Sequence, residues 1–202
     1  MRHSVVLAFA VAACGGTLGT APGDDGGGDD DDTLPDGASP RADAPGGVGE
    51  PAALAGITLA HNEARAAVQT SPALPALTWS PELAATAAAW VAQCIDTDQP
   101  IGLVDHNAGR STGHPYYVGE NIFASGGQAN PLQAVQLWVQ EKSNYDYAAN
   151  SCAGVCGHYT QVVWRETREV GCAIGTCAGL QFPSTIVCDY GPGGNVGGQR
   201  PY

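Results

Sequence analysis

The cysteines constrain this chain more than any other residue type does. There are seven, and six of them lie downstream of residue 90, so that Cys14 stands apart near the N-terminus. Six is an even set suited to three disulfide bonds, which persist in oxidising compartments. Spacing alone allows fifteen pairings of six cysteines. The sequence therefore predicts a disulfide-stapled domain outside the cytoplasm, and it leaves the pairing open.

The first residues are typical of an export signal. A short basic start precedes the apolar stretch 5–13, which is too short to span a bilayer. Cys14 follows Val11-Ala12-Ala13, and this run resembles the bacterial lipobox, in which the cysteine becomes lipid-modified. We predict a signal peptide over residues 1–13 and an outer-membrane lipoprotein anchored at Cys14. The alternative is an ordinary signal peptide with an incidental cysteine, and hence a secreted or cell-surface protein.

Residues 14–52 are predicted to form a disordered linker. Their Gly, Asp, Pro and Ala residues cannot bury enough apolar surface to offset the conformational entropy of folding. Nine of the twenty acids, against one base, lie between Pro22 and Glu50, so most of the formal charge of −12 belongs to the linker. The remaining bases are sparse and scattered, which argues against a nucleic-acid partner. Residues 53–202 are predicted to be the globular domain.

Hydrophobic periodicity predicts three helices followed by strands. The helices are expected at 54–69, from Ser80 to about Cys94, and after the Asn130-Pro131 cap. Short β-branched runs predict strands at 161–165, about 169–175 and 184–190. The buried face of the third helix is predicted to comprise Leu132, Val135, Leu137, Trp138 and Val139. This order indicates an α+β fold in which helices pack against a small antiparallel sheet.

The segment 156–166, CGHYTQVVWRE, combines a candidate functional histidine with a neighbouring cysteine and a strand-like apolar run. His158 is its candidate catalytic or metal-binding side chain, and the run 162–164 is typical of a strand. Thr160 has no neighbouring base that would activate it as a nucleophile. The chain contains neither an HExxH helix nor a GxSxG elbow. A second candidate region is the loop 95–117, which has no periodicity, and loops of that length are usually functional.

Eight short motifs identify a family when they are taken in order. They are HNEAR (61–65), LTWSPEL (77–83), DHN (105–107), GENIF (119–123), LWVQEKSNYDY (137–147), CGHYTQVVWRE (156–166), VGC (170–172) and CDYGPGGN (188–195). From about Ala53 to Tyr202 the chain resembles the CAP superfamily of cysteine-rich secretory proteins, insect venom antigens and plant pathogenesis-related proteins. The resemblance is strongest to the plant branch. It implies a three-layer α–β–α sandwich with a central cleft.

The resemblance also implies which residues line the cleft and how the cysteines pair. The cleft residues are His106, Glu120, Glu141 and His158. His114 is the alternative to His106, because it lies nearer to GEN in a loop that is longer than in plant relatives. The implied disulfides are Cys94–Cys177, Cys152–Cys156 and Cys172–Cys188.

Two imidazoles and two carboxylates in one cleft form a plausible site for Zn²⁺ or another divalent metal. A glutamate not bound to the metal could then act as a general base on metal-bound water. The four residues are therefore both the metal-ligand candidates and the catalytic candidates of a metal-dependent hydrolase. The alternative is a polar cluster that only stabilises the cleft.

The loop Lys142–Asn150 resembles the aromatic loop with which some family members bind sterols. Tyr145 and Tyr147 would supply flat apolar area to such a ligand, unless they pack against the sandwich. The resulting hypothesis is non-catalytic binding of a lipid or sterol, a glycan or an extracellular protein. The metal-dependent hydrolase is its rival.

Overall fold

The computed structural model describes residues 49–202, so the predicted signal peptide, Cys14 and most of the linker lie outside the described residues. The α-helices of this part of the chain are α1 (Ile57–Ala66), α2 (Pro81–Val91), α3 (Pro131–Gln140) and α4 (Gly157–Val162), and two short 3₁₀ helices span Ala52–Leu54 and Glu141–Asn144. Its strands are β1 (Thr78–Trp79), β2 (Gly119–Ser125), β3 (Tyr145–Asp146), β4 (Ser151–Cys152), β5 (Glu169–Thr176) and β6 (Ser184–Gly191). Within residues 49–202 no helix has the length and apolarity needed to cross a membrane.

The central sheet is mixed rather than wholly antiparallel as the sequence predicted. Its strand order is β1-β5-β6-β2. The pairs β2–β6 and β5–β6 are antiparallel, whereas the two-residue strand β1 joins β5 in parallel. The chain leaves β1 directly into α2, and this helix carries it across the sheet, as a parallel connection requires. The short strands β3 and β4 form a separate hairpin.

Alternating side chains divide the core into two layers. Cys172, Cys188 and Tyr190 face the core that also contains residues of α1, α3 and α4. Ala173 and Val187 face α2 on the other side of the sheet. Successive strand residues point to opposite faces, so one sheet supports helices on both sides. The α–β–α sandwich implied by the resemblance is confirmed.

Two of the predicted helix starts have the expected caps. The Ser80 hydroxyl accepts from the Leu83 amide at 3.4 Å, and the Asn130 side chain accepts from the Gln133 amide at 3.0 Å. Helix α1 is capped differently, by a residue assigned to the linker. Both Glu50 carboxylate oxygens accept backbone hydrogens, from Gly56 at 2.8 Å and Thr58 at 2.7 Å.

Three expectations about local structure were wrong. The segment predicted as a strand at 161–165 is the end of α4 and a turn, because an all-apolar run does not distinguish a buried strand from a buried helix. The Arg65 guanidinium takes the carbonyls of Val162 and Trp164 that a strand would offer to a neighbour. GENIF, which was given no secondary structure, forms β2. Leu132, predicted to be buried, is 51% exposed.

Three disulfide bonds staple the domain. They join Cys94 to Cys177, Cys152 to Cys156 and Cys172 to Cys188, the same pairs that the resemblance implies. The third bond links residues that lie directly opposite each other in β5 and β6.

Candidate functional site

The first half of the candidate site is an ion-pairing contact between His106 and Glu120. Glu120 lies on β2 with its side chain fully buried, whereas the His106 side chain, on the preceding loop, is 42% exposed. The distance from His106 Nδ1 to Glu120 Oε1 is 2.5 Å. The same oxygen accepts the Asn107 amide at 3.0 Å. Glu120 therefore holds both the imidazole and the middle of the loop 95–117.

His114, the alternative to His106, lies against other partners. Its Nε2 is 3.0 Å from the Thr86 hydroxyl on α2, and its ring stacks on Tyr116 at 6.0 Å. The structure thus brings His106, and not His114, to Glu120.

The second half of the site joins His158 to Glu141. Glu141 ends α3, and His158 lies in the first turn of α4. His158 Nδ1 is 2.6 Å from Glu141 Oε1, while Oε2 accepts the amides of His158 at 3.0 Å and Tyr159 at 3.3 Å. These amides would otherwise lack partners at the start of the helix. The His158 ring also stacks on Trp138 at 6.1 Å.

The backbone of His158 also contacts β2. Asn121 follows Glu120 in the chain, and its amide donates to the His158 carbonyl at 3.1 Å. Asn121 also donates to the Tyr190 hydroxyl at 3.1 Å. Successive strand residues point to opposite faces, so Asn121 contacts the His158 side of the sheet while Glu120 contacts His106 on the other side.

Both glutamates are placed to orient imidazoles. A carboxylate oxygen only accepts, so each Nδ1 carries the hydrogen, and each Nε2 of a neutral ring keeps its lone pair. Carboxylates hold metal-binding histidines in this way. Each imidazole therefore has the chemistry of a metal ligand, with its Nε2 atom as the donor. Among residues 49–202, however, no group of three or more His, Cys, Asp or Glu side chains is gathered in a metal-binding arrangement.

A buried carboxylate that the sequence did not single out lies beside this site. Asp189 on β6 is directly opposite Glu120 on β2, and it is 0% exposed. Burial, with a smaller contribution from the Glu120 charge, raises the pKa of Asp189 to about 8, while the Arg110 charge acts in the opposite direction. The alternation of β6 was the available signal, because it puts residue 189 on the same face as Val187.

The tyrosines predicted to bind a ligand have separate roles. Tyr145 is partly buried, donates to the Asn150 side chain at 2.7 Å and packs on Tyr159 at 6.3 Å. Tyr147 is 44% exposed and stacks on Tyr202, with ring centroids 4.9 Å apart. Tyr147 therefore remains accessible, whereas Tyr145 belongs to the packing under the hairpin.

An open groove lies next to Tyr147. It has a volume of about 310 Å³ and is lined by Val68, Gln69, Thr70, Lys142, Tyr147 and Tyr202. Tyr202 was missed from the sequence because it is far from the hairpin along the chain. The C-terminal segment folds back onto the hairpin, where Arg200 donates to the carbonyls of Tyr147 and Ala148 at 3.0 Å and 2.8 Å.

Thr160 is engaged in structural hydrogen bonds. Its hydroxyl contacts the Asn195 side-chain oxygen at 2.6 Å and the Cys156 carbonyl at 3.1 Å. Neither partner is a base that would activate a nucleophile.

Comparisons with known proteins agree with the motifs. The family model described as "CAP: Cysteine-rich secretory protein family" matches residues 58–190. Pathogenesis-related protein 1 of Arabidopsis thaliana is 41% identical over 142 residues, which are 70% of this chain and 78% of that protein. The basic form of pathogenesis-related protein 1 of Nicotiana tabacum is 44% identical over 144 residues, 70% of this chain and 71% of that protein.

Solved structures show the same fold. The Schistosoma mansoni venom allergen-like protein 4 matches with a TM-score of 0.54 and 27% identity, over 72% of this chain and 90% of that one. NaASP2, whose structure was determined with Zn²⁺, matches with a TM-score of 0.53 and 25% identity, over 72% and 82%. By its fold, its motifs and its relatives, this chain belongs to the CAP superfamily, the cysteine-rich secretory protein family.

Proposed function

We propose that this CAP-domain protein is a non-catalytic, extracytoplasmic binding protein, and that its ligand site is the groove beside Tyr147. The observation that carries the proposal is the groove itself, which combines apolar, aromatic and polar side chains around about 310 Å³. Val68 and the two tyrosines offer apolar area, while Lys142 and Gln69 offer polar groups at the rim. A lipid or sterol fits this combination, because it presents a large apolar body and a small polar end. A glycan or an extracellular protein is the alternative ligand.

The first experiment measures binding of cholesterol and palmitate to the full chain and to Tyr147→Ala. The variant should bind about fivefold more weakly, because an aromatic contact contributes on the order of 1 kcal/mol. Tyr117→Ala is the matched control, since Tyr117 is 53% exposed and does not line the groove. If the wild type binds neither probe, or if Tyr147→Ala binds both as well as the wild type does, the lipid-groove proposal is wrong.

The cleft is a second candidate site, for Zn²⁺ or another divalent cation. Supporting this proposal, both imidazoles have Nδ1 committed to a glutamate, with Nδ1–O distances of 2.5 Å and 2.6 Å. When bound, such a cation would polarise a ligand oxygen or water as a Lewis acid. His106 and His158 would hold it, and Glu120 and Glu141 would keep the two rings oriented.

Calorimetric titration of Zn²⁺ tests the cleft. His106→Ala and His158→Ala should each weaken zinc binding by about tenfold or more, because each removes a ligand. His114→Ala should bind as the wild type does, since His114 contacts Thr86 instead. Equal zinc affinity in all four proteins would count against a metal site. Zinc-dependent peptide turnover that is lost in both cleft variants would favour the rival metal-dependent hydrolase.

We propose an extracytoplasmic location as an outer-membrane lipoprotein, with Cys14 as the lipid-modified residue; a secreted or cell-surface protein is the alternative. Three disulfides in the domain support an oxidising compartment. Cys14→Ser should release the protein from the membrane fraction into the medium, because the acyl chains supply the attachment. Immunoblotting of the two fractions measures this, and a variant that stays with the membrane would contradict the anchor.

A further inference from the structure

One edge of the central sheet is open. The strand order β1-β5-β6-β2 gives β2 a single neighbouring strand, β6. β2 has seven residues, whereas β1 at the opposite edge has only two. An edge strand presents backbone N–H and C=O groups that its own sheet does not use. The long edge of this sheet is therefore β2.

The residue before β2 shows which backbone groups of the strand point outwards. The Val118 amide donates to the Ser111 hydroxyl at 2.9 Å, and the Val118 carbonyl accepts from Arg110 Nε at 2.7 Å. Both bonds go to the preceding loop and not to β6. In an antiparallel pair the two backbone groups of one residue point to the same side, and successive residues alternate between sides. The outward residues of β2 are therefore Glu120, Ile122 and Ala124.

Solvent reaches these outward groups. The Glu120 side chain is 0% exposed, yet the residue as a whole is partly exposed, so its exposure lies in the backbone. Ile122 and Ala124 are partly exposed as well. Within residues 49–202, no hydrogen bond from outside the sheet reaches an N–H or C=O group of β2. The outward residues can therefore donate to and accept from another strand.

The edge lacks the features with which many proteins protect a long edge strand. The segment 119–125, GENIFAS, contains neither proline nor lysine. Its one-to-one register with β6 contains no bulge. Its single charged side chain, Glu120, is already fully buried in one chain, so pairing would bury no further charge. Proline, lysine, bulges and charges that pairing would bury are the usual means of keeping two edges apart.

A second copy of this chain fits the edge in one register. When two β2 strands run antiparallel about a two-fold axis at Ile122, Ile122 faces its counterpart and Glu120 faces Ala124 of the second copy. The outward residues of one strand then meet those of the other, and each facing pair exchanges hydrogen bonds in both directions. No pair opposes two like charges. We infer that the β2 edge is a homodimer interface, which joins two sheets into one.

The residues that flank β2 leave room for this arrangement. Gly126 and Gly127 follow the strand, and a Cβ atom at either would meet no atom within 4 Å. In the antiparallel pair this turn lies opposite the residues that precede β2 of the second copy, where Tyr117 is 53% exposed. Each copy uses its one long edge, and only the two-residue β1 is left at the other edge. The expected product is therefore a closed dimer and not a fibre.

Sedimentation velocity of the purified full chain tests the interface. Between about 2 μM and about 200 μM the apparent mass should rise from that of one chain towards twice that value, because dimer formation follows mass action. Hydrogen exchange measured by mass spectrometry should be slower in 119–125 at the higher concentration, since the outward amides become hydrogen-bonded. The hairpin amides in 145–152 are the internal control and should exchange equally at both concentrations.

Two substitutions at Ala124 should weaken the pairing while leaving the bonds between β2 and β6 in place. Ala124→Pro removes an outward N–H group, and edge strands tolerate proline at such positions. It should raise the dissociation constant of the dimer by about tenfold or more, because the two-fold axis makes one substitution remove two hydrogen bonds. Ala124→Lys should also weaken the dimer, since lysine protects edges.

Ala66→Lys is the matched control, because Ala66 is an exposed residue of α1 outside the sheet. It should dimerise as the wild type does, and thermal unfolding at low concentration checks that each variant folds. A wild type that keeps the mass of one chain at both concentrations would overturn the inference. A dimer whose 119–125 amides exchange no more slowly, or one that both Ala124 variants form unchanged, would place the interface elsewhere and overturn it as well.

Discussion

At the residue scale, His61 shows how a fully buried imidazole uses both of its ring nitrogens. It is 0% exposed. Its Nδ1 donates to the Ile57 carbonyl at 2.7 Å, and its Nε2 accepts from the Tyr190 hydroxyl at 2.8 Å. A neutral ring thus makes both hydrogen bonds. A second proton, on Nε2, would remove the acceptor of the Tyr190 hydroxyl. Burial, the largest cause, lowers the pKa of His61 to about 4.

His61 should make the domain less stable in acid. The unfolded chain takes up a proton near pH 6.5, whereas the folded chain resists it until about pH 4. The contribution of the neutral His61 ring to the free energy of unfolding is therefore complete above pH 6.5 and is lost as the pH falls from 6.5 to about 4. Urea unfolding at pH 7.5 and 4.5 should show the wild type losing roughly 2–3 kcal/mol more than His61→Gln. Other titrating groups affect both proteins alike, so equal losses would contradict this assignment.

The sequence named candidate functional residues, but the contacts made in the fold decided which of them lie together and which are accessible. The residues next to His106 in the sequence favoured it over His114, and in the structure its Nδ1 lies 2.5 Å from Glu120 Oε1. The alternation of β6 indicates which face of the sheet Asp189 lies on, but only the cross-strand register puts it beside Glu120. Tyr145 and Tyr147 looked equivalent in sequence, but their accessible areas differ because Tyr145 packs on Tyr159.

At the scale of elements, the contact between α2 and β5 decides how the two outer layers enclose the sheet. A Cβ atom on Gly171 would lie 2.2 Å from the Ala84 amide nitrogen and 2.4 Å from the Ser80 carbonyl oxygen. Both are backbone atoms of the start of α2, so they cannot move aside as a side-chain tip can. The absence of a side chain at Gly171 is what allows the helix to lie directly on the strand.

Gly171→Ala should therefore destabilise the domain. The added methyl forces α2 away from β5, and overpacking of this kind costs about 1–3 kcal/mol or more in the free energy of unfolding. Gly126→Ala is the matched control, because a Cβ at that position meets no atom within 4 Å. Urea denaturation measures both variants. A Gly171→Ala protein as stable as the control would mean that α2 does not approach β5 so closely.

Helix signals were more reliable than strand signals in this chain. Ser80-Pro81 and Asn130-Pro131 each begin a helix, because a capping side chain and a first-turn proline act locally. The strand predicted at 161–165 failed because its valines are buried all round as part of α4 and the following turn. β2 was missed because its residues pair with β6, which lies about 60 residues further along the chain.

At the scale of the whole molecule, distant parts of the chain converge on the hairpin and the cleft. Glu141 and Lys142 are neighbours in sequence, yet Glu141 contacts His158 in the cleft while Lys142 lines the groove. Tyr159 follows His158, and its hydroxyl contacts that of Tyr202 at 3.0 Å. The Arg165 amide donates to the Pro201 carbonyl at 2.7 Å. The adjoining residues Glu141 and Lys142 thus link the His158 contact to the groove.

The sequence by itself determined the family, the helix caps and an even set of six cysteines for three disulfides, because motifs, caps and cysteine counts are local or compositional properties. It also named the four cleft residues through the family resemblance. Only the tertiary structure decided the partners of those residues, the β1–β5 parallel pair, the exposure of Tyr147 and the position of Asp189. Each of these depends on contacts between residues far apart in the chain, and no local pattern of side chains encodes which distant strand or loop will lie opposite.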